Sequence, residues 1–316
     1  MATTPVDPGM LAFYKELSKL TPPESSAWPL DRQRKAWDEV CATFRAPRPA
    51  RIFVEDLDAN GVHVRVFRPP GEDPKPGVIY GHGGGWVLGS CETHDDMCAE
   101  MADLADVVVV LVDYRLAPEN RFPAQLEDSL TVLDWMRSSG RALDIDPTHI
   151  IGAGDSAGGQ MTVALALELR NSGQRQLRGQ VLIYPVLGAD TETSSYIRNA
   201  HAPCLTREEM MFYLEAFLGP RNGAAWRDPR AVPNLGSDLS GLPPAYIGVA
   251  EHDPLCDDGL IFAAKLKAAG IPVSLRSEPA LAHSYMRARH HCPPAMAGFK
   301  AIAAAVRTLA HEGCLP

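Results

Sequence analysis

The stretch HIIGAGDSAGGQMTVALALELRN, residues 149–171, joins a strand pattern to a helix pattern through a glycine-rich turn. The apolar run at 149–154 predicts a buried strand, and residues 157–171 carry Ala, Leu and Val with helical periodicity. A strand that passes directly into a helix is the repeating unit of a parallel sheet with right-handed crossovers. The stretch therefore predicts an α/β protein.

Strand-like and helix-like runs alternate on both sides of this unit. Further strands are predicted at 51–55, 62–67, 78–82, 107–114, 181–185, 245–250 and 272–277, and further helices at about 93–105, 123–139, 258–269 and 295–311. Asn60-Gly61 is a strong hairpin signal, so the first two strands should be antiparallel. The pattern predicts the α/β-hydrolase fold, a single domain over residues 1–316 with a mostly parallel eight-stranded sheet and helices on both faces.

Two helix-rich segments, at about 1–48 and 188–228, stand outside the alternation. The first carries an apolar stripe formed by Met10, Leu11, Phe13, Tyr14 and Leu17. In the second, Thr206 and Glu209 have the spacing of a capping box ahead of an apolar helix. Helices outside the alternation usually pack over one end of the sheet, so we predict a lid built from both segments. The alternative is an N-terminal arm plus a surface excursion.

Composition and charge exclude several classes of partner. The formal net charge is −9, which disfavours binding to nucleic-acid phosphates. The longest aliphatic run, Val107 to Val112, is too short to span a membrane, and no signal peptide is apparent at the N-terminus. The seven cysteines are scattered without the spacing of a zinc site. We predict a reduced cytoplasmic protein with no metal and no membrane association.

Gly154-Asp155-Ser156-Ala157-Gly158 matches the pattern G-x-S-x-G between the strand and helix quoted above. Glycines flank the serine in this motif because a sharp turn from strand to helix leaves no room for side chains. The turn presents the serine hydroxyl at the carboxyl edge of the sheet, beside the positive end of the helix. Ser156 is therefore the candidate nucleophile.

A triglycine loop, His82-Gly83-Gly84-Gly85-Trp86, follows the strand at 78–82. Three glycines in a row expose backbone N–H groups that can point at a developing negative charge. When a nucleophile attacks an ester, the carbonyl oxygen becomes an oxyanion, which such preorganised donors stabilise. We interpret the loop as an oxyanion-binding element, in preference to a merely flexible connection.

A serine nucleophile requires a general base and a carboxylate that orients it. His283 follows the last predicted strand, where the chain returns to the carboxyl edge of the sheet. The competing histidines are His63, His82, His94, His149, His252, His290 and His291. Their positions in the hairpin, the glycine loop, other loops or the wrong end of a strand favour His283.

Asp253 comes just after the strand at 245–250, and the order Ser, Asp, His is the one that this fold uses. Asp257 and Asp258 are the rival carboxylates. Asp258 looks like the start of a helix and is predicted to serve as its cap. Asp253 is therefore the preferred third member.

These motifs resemble the hormone-sensitive-lipase-like family of α/β-hydrolase carboxylesterases of the bacterial type. The resemblance runs from about residue 76 to 285 and rests on HGGGW (82–86), VDYRLAPENRFPAQLED (112–128), GDSAGG (154–159) and DPL (253–255). It implies a catalytic triad, an oxyanion hole, a helical lid and no metal or organic cofactor. The implied site residues are Ser156, Asp253 and His283 for the triad, and the N–H groups of Gly84, Gly85 and Ala157 for the oxyanion, with Gly83 shaping the loop. Relatives often form dimers, so a homodimer is an expectation.

The sequence departs from the family pattern in two places. His283-Ser284-Tyr285 stands where His-Gly-Phe is usual, and Asp253-Pro254-Leu255 continues as Cys256-Asp257-Asp258 rather than with a basic residue and Asp-Glu. In the first departure, Ser284 constrains the backbone after the base and Tyr285 brings a polar tip, so the sequence leaves the shape of the pocket there open. Neither removes a chemical group that the mechanism requires.

The predicted reaction is hydrolysis of short- to medium-chain carboxylic esters through an acyl-enzyme. Candidate pocket residues are Trp86, Leu88, Leu205, Met211, Phe212 and Phe217. One alternative is an amidase, deacetylase or acyltransferase with the same triad. Another is a small-molecule receptor of the plant gibberellin-receptor type, but such receptors lose the catalytic histidine, which is present here.

Overall fold

The computed structural model describes residues 4–316 and has the predicted α/β architecture. Eight strands form one sheet in the order β1-β2-β4-β3-β5-β6-β7-β8. The strands are β1 Phe53–Ala59, β2 Val62–Arg68, β3 Lys75–Gly81, β4 Val108–Val112, β5 Ile145–Asp155, β6 Gln180–Ile183, β7 Ala245–His252 and β8 Val273–Ala282. The α-helices are α1 Pro8–Leu20, α2 Leu30–Thr43, α3 Asp95–Ala105, α4 Ala124–Ser139, α5 Ala157–Asn171, α6 Ser194–Arg198, α7 Arg207–Leu218, α8 Cys256–Ala268 and α9 Pro293–His311. Short 3₁₀ turns lie at Pro23–Ala27, Gly140–Leu143, Ala224–Arg227, Pro233–Leu235 and Tyr285–Ala288.

The hairpin of β1 and β2 is confirmed, with one correction to its length. Asn60 and Gly61 turn the chain with positive φ angles of 57° and 95°. β2 is antiparallel to both β1 and β4, as predicted, and the remaining pairs are parallel. However, β1 begins at Phe53 and includes residues 56–59, which the sequence assigned to the turn. An edge strand has one solvated face, so acidic residues there do not end it.

The sheet carries an apolar layer on each face. The strand β4 shows this directly, because Val108, Val110 and Val112 belong to one buried cluster while Val109 and Leu111 belong to the other. Helices α4, α5 and α8 supply the first cluster, and α3, α9 and α1 supply the second. Burial on both faces explains why the parallel strands read as continuous aliphatic runs.

The two segments outside the alternation pack against these layers. In α1, Met10, Phe13, Tyr14 and Leu17 are buried, whereas Leu11 is 51% exposed, so the predicted stripe has four members instead of five. Asp7 caps helix α1, and its carboxylate accepts a hydrogen bond from the Gly9 N–H at 2.8 Å.

Helix α7 starts at the predicted capping box. The Thr206 N–H donates to Glu209 Oε2 at 2.7 Å, and the Glu209 N–H donates to Thr206 Oγ1 at 3.2 Å. Each residue thereby satisfies one of the N–H groups that have no partner within the helix. Among the helices of residues 4–316, none is long and apolar enough to cross a membrane.

Candidate active site

Ser156 sits in a strained turn between β5 and α5. Its backbone angles are φ 55° and ψ −117°, and its N–H donates to the Ile183 carbonyl at 2.8 Å. The turn is possible because Gly154 and Gly158 have no side chains: a Cβ on Gly158 would overlap the Gly81 carbonyl, and a Cβ on Gly154 would overlap the backbone of Gly158. Close backbone packing therefore fixes the serine at the carboxyl edge of the sheet.

The structure brings Ser156, His283 and Asp253 together in one line of hydrogen bonds. His283 Nε2 lies 3.0 Å from Ser156 Oγ, and His283 Nδ1 lies 2.6 Å from Asp253 Oδ2. The three residues are 6%, 5% and 1% exposed, respectively. The imidazole of His283 is thus within reach of the proton on the Ser156 oxygen. The other ring nitrogen of His283 faces the buried carboxylate of Asp253.

The position of Asp253 is fixed from two sides. Its Oδ1 accepts a hydrogen bond from the Leu255 N–H at 2.8 Å. The Asn199 side chain donates to the Asp253 and Glu251 carbonyls, both at 3.0 Å. Asn199 belongs to the second of the two outlying segments, and no local pattern in the sequence indicated this long-range contact.

The rival carboxylates lie elsewhere, and the predicted cap was wrong. Helix α8 begins at Cys256, so Asp258 is in its first turn and not at its cap. The Asp258 Oδ2 accepts hydrogen bonds from the N–H groups of Leu187 and Gly188 at 2.9 and 2.8 Å. Burial raises the pKa of Asp258 to about 7. Asp257 accepts from the Ser195 N–H at 2.8 Å. Both carboxylates therefore hold the start of the segment 188–228.

The glycine loop presents unused backbone donors beside the serine. Gly84 and Gly85 adopt φ angles of 120° and 59°, and the Gly84 carbonyl accepts from the Leu88 N–H at 2.8 Å. Among residues 4–316, no group accepts a hydrogen bond from the N–H of Gly84, Gly85 or Ala157. Ala157 is the first residue of α5, where an N–H has no partner within the helix. Three amides are thus free to stabilise an anion.

Gly83, in contrast, uses its N–H to hold the loop. It donates to Asp155 Oδ1 at 3.1 Å, and the Tyr80 hydroxyl donates to the same oxygen at 2.9 Å. His94 Nε2 lies 3.2 Å from that carboxylate. Burial by itself raises the pKa of Asp155, but the neighbouring His94 and Arg287 together with the Tyr80 hydroxyl hold the pKa below its usual range. Asp155, the residue before Ser156, thus ties the glycine loop to the turn, a role that the sequence did not reveal.

The two histidines near the glycine loop are structural. The His82 ring stacks on Tyr114 at a centroid distance of 4.0 Å, and burial lowers the pKa of His82 to about 3, which leaves it neutral. His94 Nδ1 is 2.8 Å from Thr93 Oγ1, and burial lowers the pKa of His94. Neither ring is within hydrogen-bonding distance of Ser156 in the described structure, whereas His283 is.

The six candidate pocket residues occupy different environments. Trp86 and Phe217 are 0% and 1% exposed and stack on each other at 4.0 Å, and the Trp86 Nε1–H donates to Gln160 at 3.0 Å. Leu88 and Leu205 are buried, Met211 is half-buried, and Phe212 is 42% exposed. Their predicted contact with substrate stays a prediction.

Tyr213, which the sequence analysis passed over, packs against the glycine loop. A Cβ on Gly85 would meet the Tyr213 ring, so the ring packs directly on that glycine. Tyr213 belongs to α7, and burial raises the pKa of its phenol above the usual value. A neutral aromatic ring from α7 therefore limits the space over the free amides.

Two tyrosines contact His283: Tyr184 follows β6, and Tyr14 belongs to α1. The Tyr184 ring lies edge-on to His283 at 4.9 Å, and the Tyr14 hydroxyl donates to the His283 carbonyl at 2.9 Å. Ser284 adopts a left-handed φ of 58°, the conformation that glycine provides in the usual His-Gly-Phe motif. The contact from Tyr14 thus stabilises a loop whose backbone is strained at the next residue.

We expect Tyr14→Phe to lower the free energy of unfolding by about 1 kcal/mol, because a buried hydrogen bond is lost. Turnover should fall by roughly fivefold, since about 1 kcal/mol of loop stabilisation corresponds to that factor, while KM changes little. Ester hydrolysis kinetics together with urea unfolding measure both effects.

Tyr196→Phe is the matched control for that experiment. Tyr196 is also fully buried, but its hydroxyl has no hydrogen-bond partner among the described residues. Removing its hydroxyl should leave turnover close to that of the wild type. Equal losses of turnover in both variants would show that Tyr14 acts only through general packing.

Comparisons with known proteins agree with this architecture. Residues 78–287 match a family model described as an α/β-hydrolase fold. Carboxylesterase NlhH of Mycobacterium tuberculosis is 43% identical over 230 residues, which cover 71% of each chain. Ethyl acetate hydrolase of Pseudomonas putida is 36% identical over 269 residues, covering 81% of this chain and 83% of its own.

A solved structure shows the same similarity in three dimensions. A thermostable esterase from Pseudomonas putida ECU1011 superimposes with a TM-score of 0.91 at 27% sequence identity. The superposition covers 98% of this chain and 99% of that one. The similarity therefore includes the two segments outside the alternation as well as the sheet.

Proposed function

Because the chain belongs to the hormone-sensitive-lipase-like family of α/β-hydrolases and is a carboxylesterase, we propose that it hydrolyses short- to medium-chain esters through an acyl-enzyme on Ser156. The observation that carries the proposal is the hydrogen-bonded series Ser156–His283–Asp253 beside three free backbone amides. Each group needed for acyl transfer is supplied by this chain.

In the first half of the reaction, His283 Nε2 takes the proton of Ser156 Oγ as the oxygen attacks the ester carbonyl. The N–H groups of Gly84, Gly85 and Ala157 stabilise the oxyanion that forms. Asp253 keeps the proton on His283 Nδ1 and stabilises the imidazolium. His283 then gives its proton to the departing alcohol oxygen, and the acyl group stays on Ser156.

In the second half, His283 removes a proton from water, and the resulting oxygen attacks the acyl-enzyme. The same three amides stabilise the second oxyanion. Collapse of this intermediate releases the carboxylic acid and returns the proton from His283 to Ser156 Oγ. No residue outside the site is required to supply or accept a proton.

We also propose that residues 1–48 and 188–228 form the lid. The support is that Tyr14 from the first segment contacts the His283 loop, while Tyr213 and Asn199 from the second contact the glycine loop and the Asp253 loop. Ser156 and His283 are only 6% and 5% exposed under these segments. A covered nucleophile favours acyl groups of limited length.

We expect a panel of p-nitrophenyl esters to give an optimum at short to medium acyl chains. The reason is that the Tyr213 ring limits the space over Gly85. Tyr213→Ala should move the optimum towards longer chains, measured as kcat/KM for each ester. Phe53→Ala is the matched control, because Phe53 is 57% exposed on β1, away from the glycine loop, and should not shift the optimum.

An optimum at long chains with activation at lipid interfaces would instead indicate a lipase. The matching amides belong in the same panel, because an amidase or deacetylase with this triad would hydrolyse them as well as the esters. A receptor would bind the esters without turning them over.

We propose further that the protein is cytoplasmic and forms a homodimer. Free thiols support a reducing compartment, since all seven cysteines are unpaired.

The support for a homodimer is that β8 is an edge strand of the sheet and that Leu275 on it is 37% exposed. Sedimentation velocity tests the pairing directly.

A further inference from the structure

A histidine, a cysteine and an aspartate meet beside the end of β4, away from the proposed catalytic residues. His63 lies on β2, Asp113 directly follows β4, and Cys91 follows the glycine loop. One ring nitrogen of His63, Cys91 Sγ and one carboxylate oxygen of Asp113 all lie within 4.8 Å of one another. We propose that these three residues bind a thiophilic divalent cation, with Zn²⁺ as the physiological ion.

The spacing of two of the ligand atoms already suits a shared ion. His63 Nδ1 lies 3.1 Å from Asp113 Oδ2. In tetrahedral zinc sites, bonds of about 2.0–2.2 Å to nitrogen and oxygen place two such ligands about 3.3 Å apart. A zinc-bound sulfur lies about 3.6 Å from the other ligands. Because the ligand atoms lie within 4.8 Å of one another, Cys91 Sγ has to approach the other two by about 1.2 Å at most.

Hydrogen bonds from backbone N–H groups connect all three residues independently of a bound ion. The Asp113 N–H donates to the His63 carbonyl at 3.1 Å. The Cys91 N–H donates to Asp113 Oδ1 at 3.3 Å, which leaves Oδ2 to bind the ion. A site whose ligands are fixed by the main chain requires little reorganisation to bind.

A second carboxylate lies behind the imidazole. His63 Nε2 is 3.8 Å from Asp56 Oδ1, on the side of the ring opposite to Asp113. Zinc-bound imidazoles usually donate their other N–H to a carboxylate, which orients the ring and strengthens the bond to the metal. At 3.8 Å, Asp56 is a neighbour of the imidazole that becomes such a partner after a small movement of the ring.

The local charge favours a cation. Arg65 is shared by three carboxylates, Asp56 at 2.7 Å, Glu92 at 2.6 Å and Asp95 at 3.0 Å. Arg45 and Arg48 also pair with Glu92 and Asp95, so these three carboxylates are balanced by three guanidinium groups and Asp113 adds one further negative charge. A bound divalent ion would offset this excess.

The ligand types select the class of metal. A thiolate with an imidazole suits Zn²⁺ and other borderline or soft ions, whereas Mg²⁺ and Ca²⁺ prefer oxygen ligands. Cys91 is 2% exposed and free, and its thiol is 3.6 Å from the Leu111 carbonyl. His63 is exposed, so the ion reaches the site from solvent. When the zinc–sulfur bond forms, the thiol proton is released to the solvent.

The test uses the intact protein, stripped with a chelator and dialysed. Titration with Cd²⁺ should produce a thiolate-to-metal charge-transfer band in the ultraviolet that saturates at one ion per chain. Competition between the protein and a chromophoric chelator gives the affinity for Zn²⁺. Cys91→Ser should abolish the band, and His63→Asn should weaken binding by at least roughly tenfold, since loss of even an outer partner costs that much.

Two control variants separate this site from ordinary surface groups. His149 forms a similar pair with Asp146, at 2.6 Å, but no cysteine joins it in a ligand cluster among the described residues. Cys314 is an exposed thiol. His149→Asn and Cys314→Ser should both bind one ion with unchanged affinity.

The proposal is overturned if the wild-type protein gives no charge-transfer band, or if the band and the affinity survive both His63→Asn and Cys91→Ser. If the buried substitution at Cys91 prevents folding, the exposed His63→Asn variant decides alone. Because the readout is binding rather than hydrolysis, failure of the acyl-enzyme proposal would leave this result unaffected.

Discussion

Ser156→Ala is expected to reduce turnover of p-nitrophenyl esters by roughly 10⁴-fold or more, because triad members act as a unit. The variant should stay folded, since alanine fits the space of a serine whose side chain, among residues 4–316, bonds only to His283. Initial rates together with circular dichroism measure the two expectations.

Ser129→Ala is a suitable control. Ser129 is also buried, but its hydroxyl donates to the Gln125 carbonyl within α4 and has no histidine partner. A phosphonate inhibitor should add covalently to Ser156, observed as a mass shift of its peptide. An adduct on another serine, in a Ser156→Ala protein that is still active, would refute the assignment of the nucleophile.

Asp253→Asn should also cost roughly 10⁴-fold in turnover with little change in KM. The asparagine keeps the shape of the side chain but places an uncharged amide 2.6 Å from His283 Nδ1. The imidazole then loses both its favoured tautomer and the stabilisation of its charged form.

Asp257→Asn and Asp258→Asn provide the comparison, and both should keep most of the activity. Their carboxylates bind the backbone of the segment 188–228, and an asparagine oxygen can accept the same hydrogen bonds. The expected cost is a loss of about 1–3 kcal/mol in stability at most. If either variant is inactive while Asp253→Asn keeps its activity, the triad carboxylate has been misassigned.

The sequence predicted those features that depend on neighbouring residues. The elbow at 154–158 and the aliphatic runs reflect local constraints: a glycine-flanked turn and burial on both faces of a sheet. The prediction that Asp258 caps a helix was wrong because Asp253 and Pro254 turn the chain directly into α8. The Cys256 N–H donates to the Asp253 carbonyl at 3.1 Å, so the helix begins before Asp258.

The contacts that support the site join distant parts of the chain and leave no local pattern. Tyr14 is 269 positions from His283, and Gly83 is 72 positions from Asp155. Each residue, taken alone, looks like an ordinary buried tyrosine, glycine or aspartate. The cluster of His63, Cys91 and Asp113 was missed for the same reason, because its members come from three separate segments.

The close backbone contact between Gly81, Gly154 and Gly158 limits which substitutions this enzyme tolerates. Any side chain at Gly154 or Gly158 would collide with main-chain atoms, which have no rotamer to change. Random mutagenesis should therefore find these two positions intolerant, whatever substrate is used for selection. Libraries aimed at a new acyl preference gain most from diversity in α7, where neighbours are side chains that can repack.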